Sequence, residues 1–152
     1  MPRRDLPIPM SCGVVQSRAM TIAPDGVTLL GLPGRYVVHR LPSDHAVAES
    51  IWSAADFVSV SRTADELSVV VREEVDMTAS RTSDPMRAYR VAGTLDFSLI
   101  GVLSRLTDPL ARAEVSVFVI STFDTDYLLV PGARVEEAEA AWTAAGIAIR
   151  RQ

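Results

Sequence analysis

The chain contains no lysine; all 15 of its basic residues are arginine. That excludes Schiff-base catalysis, pyridoxal phosphate attachment and a P-loop, each of which depends on a lysine amine. Cys12 is the single cysteine, so there is no internal disulfide, and with two histidines no Cys/His cluster has the spacing of a zinc site. Nowhere does an apolar run approach the roughly 20 residues that a membrane-spanning helix needs. Basic charge is not in excess either. A net charge of -4 and a pI near 5.1 argue against nucleic acid or an anionic membrane as the partner. No G-x-S-x-G or comparable nucleophile motif accompanies His39 or His45, so serine-hydrolase chemistry has no anchor.

What remains is 152 residues of ordinary globular composition, 48% hydrophobic and 22% charged. A chain of this size makes one domain or two very small ones and buries roughly two thirds of its unfolded surface. Residues 1–20 show neither a helical nor a strand period and carry three prolines, which reads as a loose tail. The Pro2-Arg3-Arg4 start lacks the 7–15-residue apolar segment of a signal peptide, so the expected location is cytoplasmic.

Short strands dominate from residue 21 onward. Val27–Leu30 is closed by the turn cluster Gly31-Leu32-Pro33-Gly34, and Tyr36–Leu41 is a β-branched and aromatic run ended by Pro42. The spacing of Val47, Ile51 and Ala55 predicts a short helix over 45–55 with Asp44 as its cap. Phe57–Ser61 and Leu67–Val71 form a hairpin, and residues 72–86 read as a polar linker. In the second half Ala88–Ala92 is a strand. Asp96 is placed to cap a helix whose apolar face is Leu99, Val102, Leu103, Leu106, Leu110 and Ala113, with a kink or restart at Pro109. Val115–Ser121 and Asp126–Val130 make a second hairpin. Arg134–Ala145 is a helix ended by Gly146, and Ile147–Arg150 is a last strand. The order from residue 88 is β-α-β-β-α-β, a ferredoxin-like α+β unit with its helices on one face of an antiparallel sheet.

The two hairpins repeat. At an offset of 59 positions, the separation of Asp65 from Asp124, Val58, Val60, Thr63, Asp65 and Val71 fall on Val117, Val119, Thr122, Asp124 and Val130. This predicts two copies of one unit, residues 21–86 and 87–152, the first of them abbreviated. The repeat also separates two aspartates two residues apart. Asp124 has a counterpart in Asp65, which suits an Asx-turn in both hairpins. Asp126 has none, since Leu67 stands in its place, and a carboxylate at an apolar strand position is costly to bury unpaired.

The run Gly93-Thr94-Leu95-Asp96-Phe97-Ser98-Leu99-Ile100-Gly101-Val102-Leu103, followed by Ser121-Thr122-Phe123-Asp124-Thr125-Asp126-Tyr127 and an acidic, Ala-rich helix, resembles the CASTOR-like ACT-domain proteins. These include small bacterial relatives of the vertebrate cytosolic arginine sensor. Phe57–Val71 resembles the same family's first hairpin. The resemblance covers about residues 28–150. It implies a pair of ACT-like βαββαβ units that regulate without catalysis by binding a small molecule, usually an amino acid, where ACT units meet. It also implies a homodimer or other homo-oligomer, and a protein partner under its control. The ligand-contacting positions it implies are Phe97, Ser98 and Leu99 at the helix start, and Thr122, Phe123 and Asp126 in the hairpin. Asp96, Asp124 and Asp65 are left with cap and turn roles. The chemistry is consistent: a helix start at Phe97–Leu99 offers N–H groups to a ligand carboxylate, and Asp126 accepts its ammonium.

Two other readings compete. The same fold without a ligand would be a protein-interaction module. Asp124-Thr125-Asp126 also matches a D-x-D metal site of a nucleotide-sugar or phosphoryl transferase, although no nucleotide-binding loop accompanies it.

Overall fold

The computed structural model describes residues 26–53, 56–95 and 100–151. Among them nine strands join in one sheet. In the first half, β2 (Tyr36–Leu41) is central. It pairs antiparallel with β4 (Leu67–Arg72) on one side and β5 (Arg81–Thr82) on the other, and β3 (Ser59–Arg62) completes the hairpin with β4. In the second half, β6 (Met86–Val91) takes the same place. It pairs antiparallel with β8 (Asp126–Pro131), which pairs in turn with β7 (Phe118–Ser121).

Two halves thus share one sheet, the second with two α-helices and the first with only a 3-10 turn among the described residues, and the repeat seen in the residues recurs in the backbone of the hairpins. β7 and β8 lie 59 positions after β3 and β4, and the registers match. Ser59 faces Val70 as Phe118 faces Leu129, and Arg62 faces Leu67 as Ser121 faces Asp126.

One strand crosses between the halves. β1 (Thr28–Gly31) pairs antiparallel with β6, Leu29 facing Val91, and parallel with the last strand, β9 (Ala148–Arg151). Leu32 N–H then bonds Ala88 O at 2.9 Å, and Tyr36 at the head of β2 faces Met86. The chain from Thr28 to Tyr36 therefore runs along one edge of β6, inserting β1 into the second half's sheet before β2 enters the first. Gly34, at φ 72°, makes the bend, a conformation glycine adopts without penalty.

Two helices cover one face of the second half. α1 (Val102–Arg112) buries Leu106 and Leu110, and α2 (Val135–Ala144) buries Ala138 and Trp142 against Leu29, Tyr89, Val91, Leu128 and Val130. Each fully buried leucine contributes roughly 1.5–3 kcal/mol. Trp142 locks the helices together: its indole N–H donates to Leu106 O at 2.8 Å, and its ring meets Tyr89 edge-on with centroids 4.9 Å apart. α2 ends in a Schellman motif. Gly146, at φ 78°, bonds Thr143 O and Ile147 bonds Trp142 O.

The opposite faces of the two half-sheets meet in a second core of Tyr36, Phe57, Val70, Ala88 and Leu129. Phe57 stacks on Tyr127 with centroids 4.0 Å apart and planes 13° apart, joining the halves.

Three expectations are corrected. Instead of a helix over 45–55 there is a 3-10 turn at Glu49–Ile51, preceded by Ala48 without a side-chain cap, and Asp44 caps nothing there. The segment before it is tied to the first hairpin, where the Arg62 guanidinium donates to His45 O at 2.8 Å. Residues 72–86 are not a free linker. Val75, Met77 and Ala79 pack into the first half's core, and Ser80 and Ser83 hydroxyls bond the β2 backbone. Finally, α1 starts at Val102 behind Gly101, and it runs through Pro109. It gives up only the one hydrogen bond that proline cannot donate.

Candidate functional site

The Val91 end of β6 meets the second hairpin. Thr125, buried, donates its hydroxyl to Val91 O at 2.9 Å, and Leu95 N–H bonds Asp124 O at 2.7 Å. These two bonds fix the β7–β8 turn beside the segment that leads into α1. Between the turn and the helix lies a cavity of about 310 Å³. Thr122, Phe123, Thr125, Asp126 and Ser121 form its hairpin side, and Gly101, Val102, Leu103 and Ser104 form its helix side with Leu95.

Gly101 sets the direction of that helix side. It holds φ 81° and ψ 9°, a left-handed conformation that glycine adopts freely, and it is the residue before the first turn. The Val102, Leu103 and Ser104 N–H groups have no intrahelical acceptors, since a helix leaves its first N–H groups unpaired within itself. They carry the positive end of the α1 dipole to the cavity wall.

Asp126 supplies the opposite charge. It is 8% exposed, and Ser121 Oγ donates to its Oδ1 at 2.5 Å from directly across the hairpin. Among the described residues no arginine pairs with it. A buried carboxylate held by one hydroxyl retains several unused acceptor positions. The cavity therefore presents hydrogen-bond donors on one wall and a carboxylate on the other, the complement of a zwitterion.

Of the residues singled out in the sequence, Thr122, Phe123 and Asp126 line this cavity. Phe97, Ser98, Leu99 and Asp96 lie outside the described residues. The helix N-terminus belongs to Gly101–Ser104, five residues later than the cap expected at Asp96. Glycine is itself an acceptable cap, so Gly101 ahead of Val102-Leu103 was the available signal. Ser121 was also missed, although hairpin register alone makes it the cross-strand neighbour of Asp126.

The turn roles of Asp65 and Asp124 are corrected. In both hairpins a threonine closes the turn: Thr63 Oγ1 accepts Glu66 N–H and Thr122 Oγ1 accepts Thr125 N–H, each at 3.2 Å. Thr63 N–H bonds Glu66 O and Thr122 N–H bonds Thr125 O, each at 2.9 Å. The Asp65 and Asp124 side chains are exposed and take no part in these bonds. The hydroxyl already stands at the first turn position, so no Asx-turn is needed. The two aspartates of the D-x-D motif differ in their surroundings. Asp126 lines the cavity and Asp124 does not, and among the described residues no three His, Cys, Asp or Glu side chains converge as a metal-binding group.

The comparisons with known proteins agree with this architecture. The sequence model of the ACT domain matches residues 81–142, and a second model, of an N-terminal domain, matches residues 34–75. The chain is 30% identical over 101 residues to the cytosolic arginine sensor for mTORC1 subunit 1 of Pongo abelii, an alignment covering 61% of this chain and 31% of that protein. It thus spans about a third of the length of the curated relatives it matches. The crystal structure of protein Atu0741 from Agobacterium tumefaciens is 30% identical and superposes with a TM-score of 0.75, over 86% of this chain and 96% of that one. The regulatory subunit of aspartate kinase from Thermus flavus shares the fold at 12% identity and a TM-score of 0.53, over 80% and 97% of the two chains.

Proposed function

Since this chain belongs to the ACT-domain family, in its CASTOR-like group, we propose that it is a regulatory, non-catalytic protein that binds a free amino acid between α1 and the second hairpin. The observation that carries the reading is Asp126, a buried carboxylate with no cationic partner among the described residues, in a cavity that also has a helix N-terminus on its wall. The ligand ammonium meets Asp126, and the ligand carboxylate takes the first-turn N–H groups of α1. Thr122 and Phe123 bound the space left for the ligand side chain, with Phe97, Ser98 and Leu99 as the family-implied contacts from the segment before α1.

The relatives named as arginine sensors give the amino-acid class its support, and the likeness to a kinase regulatory subunit supports a regulatory fold. In this reading residues 21–86 and 87–152 are the two ACT-like units, with β1 lent by the first to the second, and the protein works in the cytoplasm on a protein partner.

A second reading has its own observation. Ile100, the residue before the cavity residue Gly101, is an apolar group 99% exposed. It fits an interaction surface, as for a homo-oligomer, whether or not a ligand is held in the cavity.

Thermal unfolding with a panel of free amino acids separates the two. A ligand present at about 100 times its Kd stabilises the folded state by about 2.7 kcal/mol, a readily measured rise in Tm. If no amino acid raises Tm at millimolar concentration, the sensor reading fails and the interaction module stands.

A further inference from the structure

The other end of β6, away from the Asp126 cavity, carries a second convergence of charge. Arg87 rises from β6, Arg35 from the connector between β1 and β2, and Arg151 from the end of β9. With Gly132, Val135 and Glu139 they line a separate cavity of about 270 Å³.

The acids there do not match the arginines. Arg35 is held by Glu73, Nε to Oε2 at 2.7 Å and Nη2 to Oε1 at 3.1 Å. Arg151 Nη2 meets Glu139 Oε2 at 3.5 Å, while the other Glu139 oxygen accepts the buried Tyr89 hydroxyl at 2.7 Å. Arg87 has no carboxylate among the described residues. Its single hydrogen bond there is from Nη1 to Gly34 O at 3.2 Å. A guanidinium carries five N–H donors in a fixed fork, so most of the Arg87 donors remain for something else. Three guanidinium groups face two carboxylates, and the unmatched one is the half-buried Arg87.

We propose that this cavity binds a small oxyanion, a phosphate or carboxylate group, with Arg87 as the principal contact and Arg35 and Arg151 at the rim. Guanidinium groups take both anions through paired N–H···O bonds. This site shares no residue with the Asp126 cavity, and the inference does not depend on the amino-acid reading.

The test is thermal unfolding of the full chain titrated with sodium phosphate and, separately, sodium acetate, at ionic strength held constant with chloride. The expected result is a saturating rise in Tm with at least one anion. A larger response to phosphate identifies a phosphate group as the natural occupant, and a larger response to acetate a carboxylate. Arg87→Gln weakens the response about tenfold or more, the loss expected for charge-assisted hydrogen bonds. Arg40→Gln, which removes an arginine paired with Glu66 outside the cavity, leaves it unchanged. Arg151 is largely exposed, so Arg151→Gln folds even where Arg87→Gln does not, and it weakens the response several-fold. The proposal is overturned if neither anion saturates. It is equally overturned if the variants at Arg87 and Arg151 respond as the wild type does, which would mark a general salt effect.

Discussion

Ser121 donates its hydroxyl to the Asp126 carboxylate from directly across the second hairpin, and the same two positions of the first hairpin hold Arg62 and Leu67. One fold therefore accommodates either a charged or an apolar side chain at the inner position. The carboxylate is not what the hairpin requires.

Replacing Asp126 by the residue of the other copy tests this. Asp126→Leu removes a buried, sparsely bonded carboxylate and adds apolar contact, so stability rises by about 1–2 kcal/mol. For a chain of this size that is a Tm increase on the order of 2–8 °C. The same substitution abolishes any rise in Tm caused by amino acids. A variant both less stable and still responsive would remove Asp126 from the proposed site. Gain of stability with loss of response is the pattern of a residue retained for function.

The two turn residues separate just as cleanly. Thr122→Ala removes the hydroxyl that accepts Thr125 N–H and costs about 1 kcal/mol, as does Thr63→Ala in the first hairpin. Asp124→Ala changes stability by less than about 0.5 kcal/mol, because its exposed carboxylate makes no turn bond. Denaturant midpoints of the three variants check this, and a larger loss at Asp124 than at Thr122 would restore the Asx-turn.

Where side chains alternate, the residues announced the fold. Tyr36–Leu41 and both hairpins follow from β-branched residues at period two, and the repeat even fixed their relative register. The segment 72–86 was harder to read because β5 is two polar residues long and holds on through serine and threonine hydroxyls rather than apolar side chains. Val75, Met77 and Ala79 did carry a period of two, but too briefly to stand out beside the charges between them. The site was half visible. Asp126 emerged from its mismatch with Leu67, a local comparison. The other wall depends on where α1 starts, and Asp96 and Gly101 were both acceptable caps. That choice is decided by backbone conformation, which composition does not carry.

The crossing of β1 predicts how the protein unfolds. β1 lies between β6 and β9, β2 lies in the first half's sheet, and Phe57 stacks on Tyr127 across the halves. Neither half keeps its full sheet and core if the other opens. Calorimetry should give a single transition with calorimetric and van't Hoff enthalpies equal. Phe57→Ala should lower that one transition, by about 3–5 kcal/mol of stability, without splitting it. Two resolved transitions in the wild type would show that the halves stand independently.

His39 gives the pH dependence its direction. The ring is 5% exposed in β2, its Nδ1 lies 2.9 Å from Thr82 Oγ1, and its Nε2 is buried without a partner among the described residues. Burial disfavours the imidazolium and holds its pKa below the ordinary histidine value. Well above about pH 6.5 the ring is neutral in both the folded and the unfolded chain, and it contributes no pH dependence. As the pH falls through that value the unfolded chain takes up the proton first, so stability declines, and the decline ends below the lower pKa of the folded state. The slope from this one group cannot exceed about 1.4 kcal/mol per pH unit. His39→Gln keeps a polar group facing Thr82 and removes the titration. Between pH 7 and pH 5 its Tm should fall less than that of the wild type, and parallel curves for the two proteins would assign the acid sensitivity to other groups.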